Sequence, residues 1–284
     1  MQNSIDVINI YGMSYSGSTL LNFMLDCVPG VYGGGELHWL HTQHSSESAY
    51  KAHCTNCKDE CDIWTPERCE NVPESDFYQF IQKITGASVI VDTSKIISWF
   101  DTRAKANELN VTPHNFLLVK HPFRHLASLV INQKNESASQ REAGLKKAIG
   151  VFSSYYREVL RYLSPTHENI IQYEELVRNN IETINRILVK TGQQHQESTL
   201  NCFAKEHHQI AGNGGTIYLA TKKWPGKREN QPKKKLEQYE SKTGVFLDNK
   251  YVDFFTPDEL LQIKADRDIN EISQQLGYDL SSAP

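Results

Sequence analysis

The 284-residue sequence lacks any apolar stretch near the roughly 20 residues that a membrane-spanning helix requires. Its first residues enter a predicted strand directly, without a secretory signal pattern. It also lacks internal repeats and a large charge imbalance, since its formal net charge at pH 7 is −4. These absences argue against a membrane-spanning, nucleic-acid-binding or repeat protein. We expect a cytoplasmic protein in which a local basic site binds any anionic ligand.

The composition is that of an ordinary globular protein, with 39% hydrophobic residues and mixed charge. Apolar runs rich in β-branched residues alternate with helical patterns, which predicts a three-layer α/β fold with a mainly parallel central sheet flanked by helices. The predicted strands are 5–12, 30–36, 87–94, 115–122 and 169–176. The predicted helices are 17–27, 76–85, 96–109, 123–133, 142–163, 174–191 and 257–276. We expect one domain over residues 1–284, with an insertion at about 41–73 and a basic loop at about 221–235.

The stretch YGMSYSGSTLLNFMLD, residues 11–26, joins a predicted strand to an amphipathic helix through a cluster of glycine and hydroxyl residues. A strand that breaks at Gly12 and enters a helix at Ser16–Thr19 presents backbone N–H groups and hydroxyls at a helix N-terminus, which favours an anion. A nucleotide triphosphatase loop would need a lysine in the pattern G-x-x-x-x-G-K-[ST], and this loop has none. Asp92 is the only acidic strand end that could accompany a metal ion. We therefore predict a phosphate-like ligand without magnesium; a serine-capped turn is the alternative.

A second stretch, LLVKHPFRHLAS, contains a predicted strand that ends in Lys120 and a helix that follows Pro122. This helix presents Ser128 about two turns after its start. The cation and the hydroxyl can face one phosphate from two sides.

Together, YSGST (15–19) and KHPFRHLAS (120–128) resemble two motifs of the sulfotransferases that use 3′-phosphoadenosine 5′-phosphosulfate (PAPS). In that family the 5′-phosphosulfate loop is typically R/K-S-G-[ST]-T, and the 3′-phosphate element is typically R-[DN]-P-x-x-x-x-x-S. Similarities at VDTSK (91–95), YEEL (173–176) and HHQIAGN (207–213) follow in chain order. The resemblance implies a P-loop nucleotide-triphosphatase-like fold, PAPS as co-substrate and 3′-phosphoadenosine 5′-phosphate (PAP) as product. The nucleotide-binding residues that it implies are Tyr15, Ser16, Gly17, Ser18, Thr19, Lys120, Ser128 and Tyr173.

Two positions depart from the family pattern. Tyr15 stands in place of the loop cation, and Lys120 replaces an arginine, so a point charge stands where a bidentate fork is usual. Lys95 lies in the loop that faces the transferred sulfonyl group in the family. It is our candidate for the missing charge, and a solvated lysine at a helix start is the alternative.

The stretch GGGELHW offers Glu36 and His38 just after the first helix, where several members of the family place a glutamate base. Three glycines before Glu36 let the backbone pass close to a ligand. We predict Glu36 as the base that removes the acceptor proton, with His38 as the second candidate and a plain surface turn as the other interpretation. Tyr173 borders the nucleotide or belongs to an ordinary core edge. His207 and His208 line the acceptor pocket or are incidental.

Four cysteines follow the spacing C-x₂-C-x₃-C-x₇-C within the insertion. They are Cys54, Cys57, Cys61 and Cys69. Thiolates at these intervals can close a tetrahedral zinc site that would fold an otherwise coreless segment. Disulfides in an oxidising compartment and free thiols are the alternatives. The basic loop is a solvated charged segment or a flap over the 3′-phosphate or an acidic acceptor.

The leading hypothesis is a PAPS-dependent sulfotransferase that acts on a small-molecule, glycan or lipid acceptor. A nucleotide or small-molecule kinase is disfavoured because the loop lacks its lysine. A nucleotide-binding relative without transfer activity is the third hypothesis, because Tyr15 replaces the loop cation. The sequence predicts neither the acceptor nor the oligomeric state.

Overall fold

A computed structural model of the chain describes residues 4–42, 52–58, 60–106, 110–131, 137–195, 199–222, 245, 247, 251 and 253–281. Its five strands are β1 (Ile5–Tyr11), β2 (Val31–Gly35), β3 (Val89–Asp92), β4 (Val111–Val119) and β5 (Ile170–Gln172). They form one sheet in the order β2-β3-β1-β4-β5. The pairs β1–β3, β2–β3 and β4–β5 are parallel. The predicted α/β fold, with a parallel central sheet flanked by helices, is confirmed.

The helices of the described residues follow the strands in the expected alternation. They are α1 (Ser18–Asp26), α2 (Trp39–Thr42), α3 (Pro66–Glu70), α4 (Phe77–Thr85), α5 (Ile97–Ala106), α6 (Pro122–Ile131), α7 (Ala138–Leu163), α8 (Tyr173–Arg178), α9 (Asn180–Leu188), α10 (Gly214–Thr221), α11 (Pro257–Ala265) and α12 (Arg267–Gln275). Throughout these ranges, no helix has both the length and the apolar character needed to cross a bilayer.

Two predicted helices are each divided in the structure. The pattern at 174–191 becomes α8 and α9, with non-helical backbone at Asn179 (φ −125°, ψ 54°). The pattern at 257–276 becomes α11 and α12, because Asp266 leaves the helical conformation and its carboxylate accepts a hydrogen bond from the Ile269 N–H at 3.0 Å. Asparagine and aspartate compete for backbone groups and favour such caps over helix interiors.

The chain forms two compact units, of which the first comprises residues 1–11, 18–115 and 179–245. Its buried core joins the sheet to the Cys-rich insertion. Trp64 of the insertion is fully buried and belongs to one hydrophobic cluster with Phe77 and Ile90. The insertion therefore shares the hydrophobic core, and the expectation that it has none is wrong. It also contains α3, which Thr65 caps by accepting from the Arg68 N–H at 3.2 Å.

The second unit comprises residues 12–17, 116–178 and 246–284. Helix α7 begins with a capping box at Ser137 and Gln140, and it packs against α6 and α12. Arg141 on α7 forms two hydrogen bonds with Glu259 on α11, at 2.7 and 2.9 Å. The basic loop lies outside the described residues except for its first two positions, 221 and 222.

Candidate active site

In the second unit, the turn from Gly12 to Gly17 is held by hydrogen bonds from both of its sides. The Gly12 N–H donates to the Tyr155 hydroxyl at 2.9 Å, and the Ser16 N–H donates to the Met13 carbonyl at 3.1 Å. His125 Nε2 donates to the Ser14 carbonyl at 2.8 Å. These contacts fix the path of the backbone before any ligand binds.

His125 supports this turn as a neutral imidazole. Its ring is fully buried, and Nε2 donates to a carbonyl oxygen, so Nδ1 is left to accept a hydrogen bond from the Tyr156 hydroxyl at 3.3 Å. Burial, with the nearby Lys120 charge, lowers the pKa of His125 to about 3. The motif analysis did not single out this histidine, although it lies inside the 120–128 stretch.

The ring of Tyr173 packs directly on the loop. Gly17 has φ +105°, and a Cβ at this position would lie 2.5 Å from Tyr173 Cδ2. Lys120 Nζ lies 4.4 Å from the centre of the same ring, on its face. Three of the predicted nucleotide-binding residues therefore meet in one place, and Tyr173 acts as the surface on which the other two rest.

The remaining predicted residues of this unit occupy distinct environments. Tyr15 is 37% exposed and has φ +71°, a left-handed conformation that is costly for a residue with a side chain. Ser16 is fully buried, and its hydroxyl has no hydrogen-bond partner within the described part of the chain. Ser128, on α6, is half-buried, and its hydroxyl donates to the Arg124 carbonyl at 2.9 Å.

In the first unit, Ser18 and Thr19 form the buried start of α1. Thr19 Oγ1 accepts a hydrogen bond from the Asn213 N–H at 2.8 Å. The Asn213 side chain in turn caps α10 by accepting from the N–H groups of Gly215 and Thr216, at 3.0 and 3.2 Å. The late HHQIAGN element therefore supports the start of α1, a role that the sequence did not reveal.

The sheet topology brings Glu36 and Lys95 together. Glu36 follows β2 and Lys95 follows β3, and these strands are parallel neighbours whose carboxyl ends lie side by side. Lys95 Nζ forms an ion pair with Glu36 Oε1 and lies 3.4 Å from Ser18 Oγ. Both side chains are largely buried, at 13% and 19% exposure. The predicted cation and base thus stand beside the first hydroxyl of α1, and Lys95 is not a solvated surface lysine.

Further contacts orient this pair. Trp39 Nε1 donates to the other carboxylate oxygen of Glu36 at 3.2 Å. The Glu36 N–H donates to the Ile210 carbonyl at 2.8 Å. Gly35 has φ +77°, and a Cβ there would overlap the Ile210 carbonyl oxygen. The glycine at position 35 therefore permits close approach of the backbone at Ile210. This contact accounts for a glycine at position 35 without a bound ligand.

His38, the second candidate base, lies on the same loop in a more buried environment. The backbone N–H of His38 donates to Ser94 Oγ at 3.0 Å. The ring nitrogen Nδ1 has no hydrogen-bond partner within the described ranges. Burial lowers the pKa of His38 to about 4, although the negative charge of Glu36 opposes this shift. The imidazole is therefore unprotonated at neutral pH.

Asp92, the acidic strand end considered for a metal ion, is fully buried. Its carboxylate accepts hydrogen bonds from the Ser94 N–H (2.9 Å) and hydroxyl, the Tyr78 hydroxyl (3.0 Å) and Trp99 Nε1 (2.8 Å). Burial raises the pKa of Asp92 against these hydrogen bonds. The residue organises the end of β3.

Three of the four predicted zinc ligands form a cluster with a histidine. One ligand atom from each of Cys54, Cys57, Cys61 and His208 lies within 4.8 Å of the others. Cys69 lies outside this group, buried on α3. Hydrogen bonding from Cys54, with further help from His208, lowers the pKa of Cys61 to about 4 despite its burial. His208, one of the two histidines of the late HHQIAGN element, thus lies with the cysteines.

His207 has a structural role. Its ring is buried against Phe23, with ring centres 4.0 Å apart. His207 Nδ1 lies 2.7 Å from Asp26 Oδ2, and Nε2 lies 2.7 Å from the Cys202 carbonyl. Asp26 also accepts from the Gly33 N–H at 2.8 Å, so this group ties α1 to β2.

No family model and no curated protein matches the chain. Solved structures do match it over nearly its whole length. The sulfotransferase domain from the Synechococcus PCC 7002 olefin synthase is 18% identical with a TM-score of 0.59, and the match covers 98% of this chain and 97% of that one. The sulfotransferase domain from the curacin biosynthetic pathway is 15% identical with a TM-score of 0.52, covering 98% and 99%. The chain therefore has the fold of these sulfotransferase domains.

Proposed function

We propose that this protein is a sulfotransferase that moves the sulfonyl group of PAPS to a hydroxyl or amine of a small-molecule, glycan or lipid acceptor, with PAP as the second product. The observation that carries the proposal is the contact of Lys95 with both Glu36 and Ser18. A cation and a carboxylate beside a helix N-terminus can neutralise a leaving phosphate and accept a proton. The fold and the loop motifs support the same function.

In the proposed reaction, the acceptor oxygen or nitrogen attacks the sulfur of PAPS. The bond between this sulfur and the bridging oxygen breaks, and the electron pair stays on the 5′-phosphate of PAP. Glu36 takes the proton of the acceptor, while Lys95 and the N–H groups at the start of α1 stabilise the growing negative charge. Ser18 and Thr19 at the start of α1 supply hydroxyl donors to this phosphate.

In the proposed function, residues of the second unit recognise the nucleotide. Lys120, held on the Tyr173 ring, and Ser128 bind the 3′-phosphate that distinguishes PAP from 5′-AMP. Tyr15 contributes a phenol where the family loop has a cation, so Lys95 provides the charge on the sulfonyl side. Cys54, Cys57 and Cys61 hold a structural zinc ion, for which thiolates are preferred ligands.

A kinase is less well supported by this site. A kinase binds its nucleotide with magnesium through a carboxylate, and the carboxylate at the end of β3 is already occupied by hydrogen bonds from Ser94, Tyr78 and Trp99. The proposed function therefore predicts activity without magnesium.

The test is transfer of ³⁵S from labelled PAPS to molecules in an extract of the native cell, with mass spectrometry to identify products that gain a sulfonate. We expect a labelled product and stoichiometric PAP with the unaltered protein in the presence of a magnesium chelator. The matched controls are Lys95→Ala, which should fail, and Lys146→Ala, an exposed residue on α7 that should not. Tight PAP binding without any transfer would identify a nucleotide-binding protein instead.

A further inference from the structure

We propose that Cys54, Cys57, Cys61 and His208 bind one zinc ion, and that this ion fixes the backbone on which Glu36 stands. Zinc binding at this cluster is inferred from its own geometry and does not rest on the proposed function. Its effect on Glu36 rests on the proposed function.

The geometry of the cluster fits a tetrahedral site. Zinc bonds of about 2.3 Å to sulfur and 2.0–2.1 Å to nitrogen place neighbouring ligand atoms about 3.6–3.8 Å apart. His208 Nδ1 lies 3.4 Å from both Cys57 Sγ and Cys61 Sγ. Small side-chain adjustments therefore suffice to admit an ion between three sulfurs and one nitrogen.

The backbone around the cysteines is shaped to support thiolate ligands. Cys54 and Lys58 close a tight turn, in which the Lys58 N–H donates to the Cys54 carbonyl at 2.8 Å and Lys58 has φ +57°. The Trp64 N–H donates to Cys61 Sγ at 3.3 Å. Such N–H···S bonds orient sulfur ligands and stabilise their negative charge.

His208 begins a short strip of backbone that runs between the insertion and the loop of the candidate base. On one side of the strip, the Thr55 N–H donates to the Gln209 carbonyl at 2.9 Å. On the other side, the Ile210 N–H donates to the Gly34 carbonyl at 2.9 Å, and the Ile210 carbonyl accepts from the Glu36 N–H at 2.8 Å. The strip thus carries a metal ligand at one end and the hydrogen bonds to Glu36 at the other.

An ion at the cluster would join the insertion to this strip, because three ligands lie in the insertion and His208 lies on the strip. Cys54 pairs with Ile210 as an isolated bridge, and His208 precedes Ile210 by two residues. When Cys54 and His208 bind the same ion, the distance between the turn that begins at Cys54 and the strip is fixed. Glu36 then acts from a backbone whose position the metal determines, and His208 acts as a positioning residue.

The first experiment determines the ligand set. Elemental analysis of protein purified without added metal should find about one equivalent of zinc. Cobalt(II) substitution should give the charge-transfer absorption of thiolate ligation and tetrahedral d–d bands. Cys57→Ser and His208→Ala should lose most of the metal, whereas His208→Cys should retain it.

Cys69→Ala is the matched control, because Cys69 is a buried cysteine of the same insertion outside the cluster. It should keep one equivalent of zinc. Full zinc content in His208→Ala, or its loss in Cys69→Ala, would overturn the proposed ligand set. A mass deficit that corresponds to disulfides, without metal, would overturn the site itself.

The second experiment measures the effect on Glu36 by amide hydrogen exchange. After chelation, the N–H groups of Glu36, Thr55 and Ile210 should exchange at least about 10-fold faster, while the N–H groups of β1 stay protected. Unchanged protection would overturn the positioning role even if zinc binds. In transfer assays, His208→Ala should lower kcat about 10-fold with PAP affinity unchanged, and His208→Cys should restore it. An inactive unaltered protein would contradict the proposed function and leave the metal and exchange results to decide this inference.

Discussion

Lys95 Nζ is ion-paired with Glu36 Oε1, and the same ammonium group lies 3.4 Å from Ser18 Oγ. Glu36 and Lys95 are 59 positions apart along the chain, and each follows a strand end of the same parallel pair. The contact joins a proton acceptor to a cation in a largely buried place, where charges act more strongly than in water. Four predictions concern this pair and the predicted nucleotide-binding residues of the second unit with their support.

Glu36→Gln keeps the size of the side chain and removes its basicity. We expect the rate of sulfonyl transfer to fall by about 10² or more, with PAP affinity almost unchanged. Lys95→Ala should also slow transfer, because it removes the cation that stabilises the charge growing on the leaving phosphate. Glu142→Gln, an exposed position on α7, is the control. Near-normal turnover in Glu36→Gln would rule out Glu36 as the base and leave His38 as the remaining candidate.

Lys120→Ala should weaken PAP binding much more than 5′-AMP binding, because the lysine meets the 3′-phosphate that only PAP carries. The expected loss for PAP is roughly 1.5–3 kcal/mol, the scale of a charged hydrogen bond. Isothermal calorimetry without magnesium measures both affinities, with Lys146→Ala as the control. Equal affinities of the unaltered protein for the two nucleotides would remove the basis of the PAPS assignment.

Gly17→Ala should destabilise the protein and impair nucleotide binding. The new Cβ would meet the Tyr173 ring at 2.5 Å, and alanine is strained at φ +105°. We expect a loss of about 1–3 kcal/mol in the free energy of unfolding, measured in urea. Gly150→Ala is the control, since no atom lies within 4 Å of its new Cβ in α7. That change should stabilise the helix by about 0.5–1 kcal/mol, and similar effects of both changes would contradict the assigned strain.

His125 should make stability depend on pH. Its pKa is about 3 in the fold and about 6.5 in the unfolded chain. Because the folded pKa is the lower one, the unfolded state binds the proton first. The stabilisation is complete above about pH 6.5 and is lost as pH falls, by about 2 kcal/mol between pH 7 and pH 5.

The measurement is urea unfolding at both pH values for His125→Gln and for the exposed control His167→Gln. His125→Gln should have a shallower pH slope, because glutamine carries no ionisable group while its amide N–H can still donate to the Ser14 carbonyl. An unchanged slope would show that other groups cause the acid sensitivity.

The sequence predicted the parts of this protein that depend on local spacing. Apolar runs rich in β-branched residues located the five strands of the described residues, because strands of a parallel sheet are buried on both faces, and helical periodicity located the helices next to them. Three of the four predicted cysteines meet because they lie within eight residues of one another, and the tight turn at Cys54 needs only local backbone geometry. The helical periodicity alone predicted continuous helices at 174–191 and 257–276. Asn179 and Asp266 were the sequence signals for the breaks within them.

Contacts between distant parts of the chain were decided by the tertiary structure. Sequence motifs named Glu36 and Lys95 separately, but only the adjacency of β2 and β3 makes them an ion pair. His208 lies 147 residues beyond Cys61 and stands in the cluster where Cys69 was predicted. It reaches the cluster because the backbone at Ile210 is hydrogen-bonded to Gly34 and Glu36 at the end of β2. Residue spacing determines neighbours along one element, whereas the order of strands in the sheet determines which loops share an edge. The fold could therefore be predicted from the sequence, and the pairing of its chemically active groups could not.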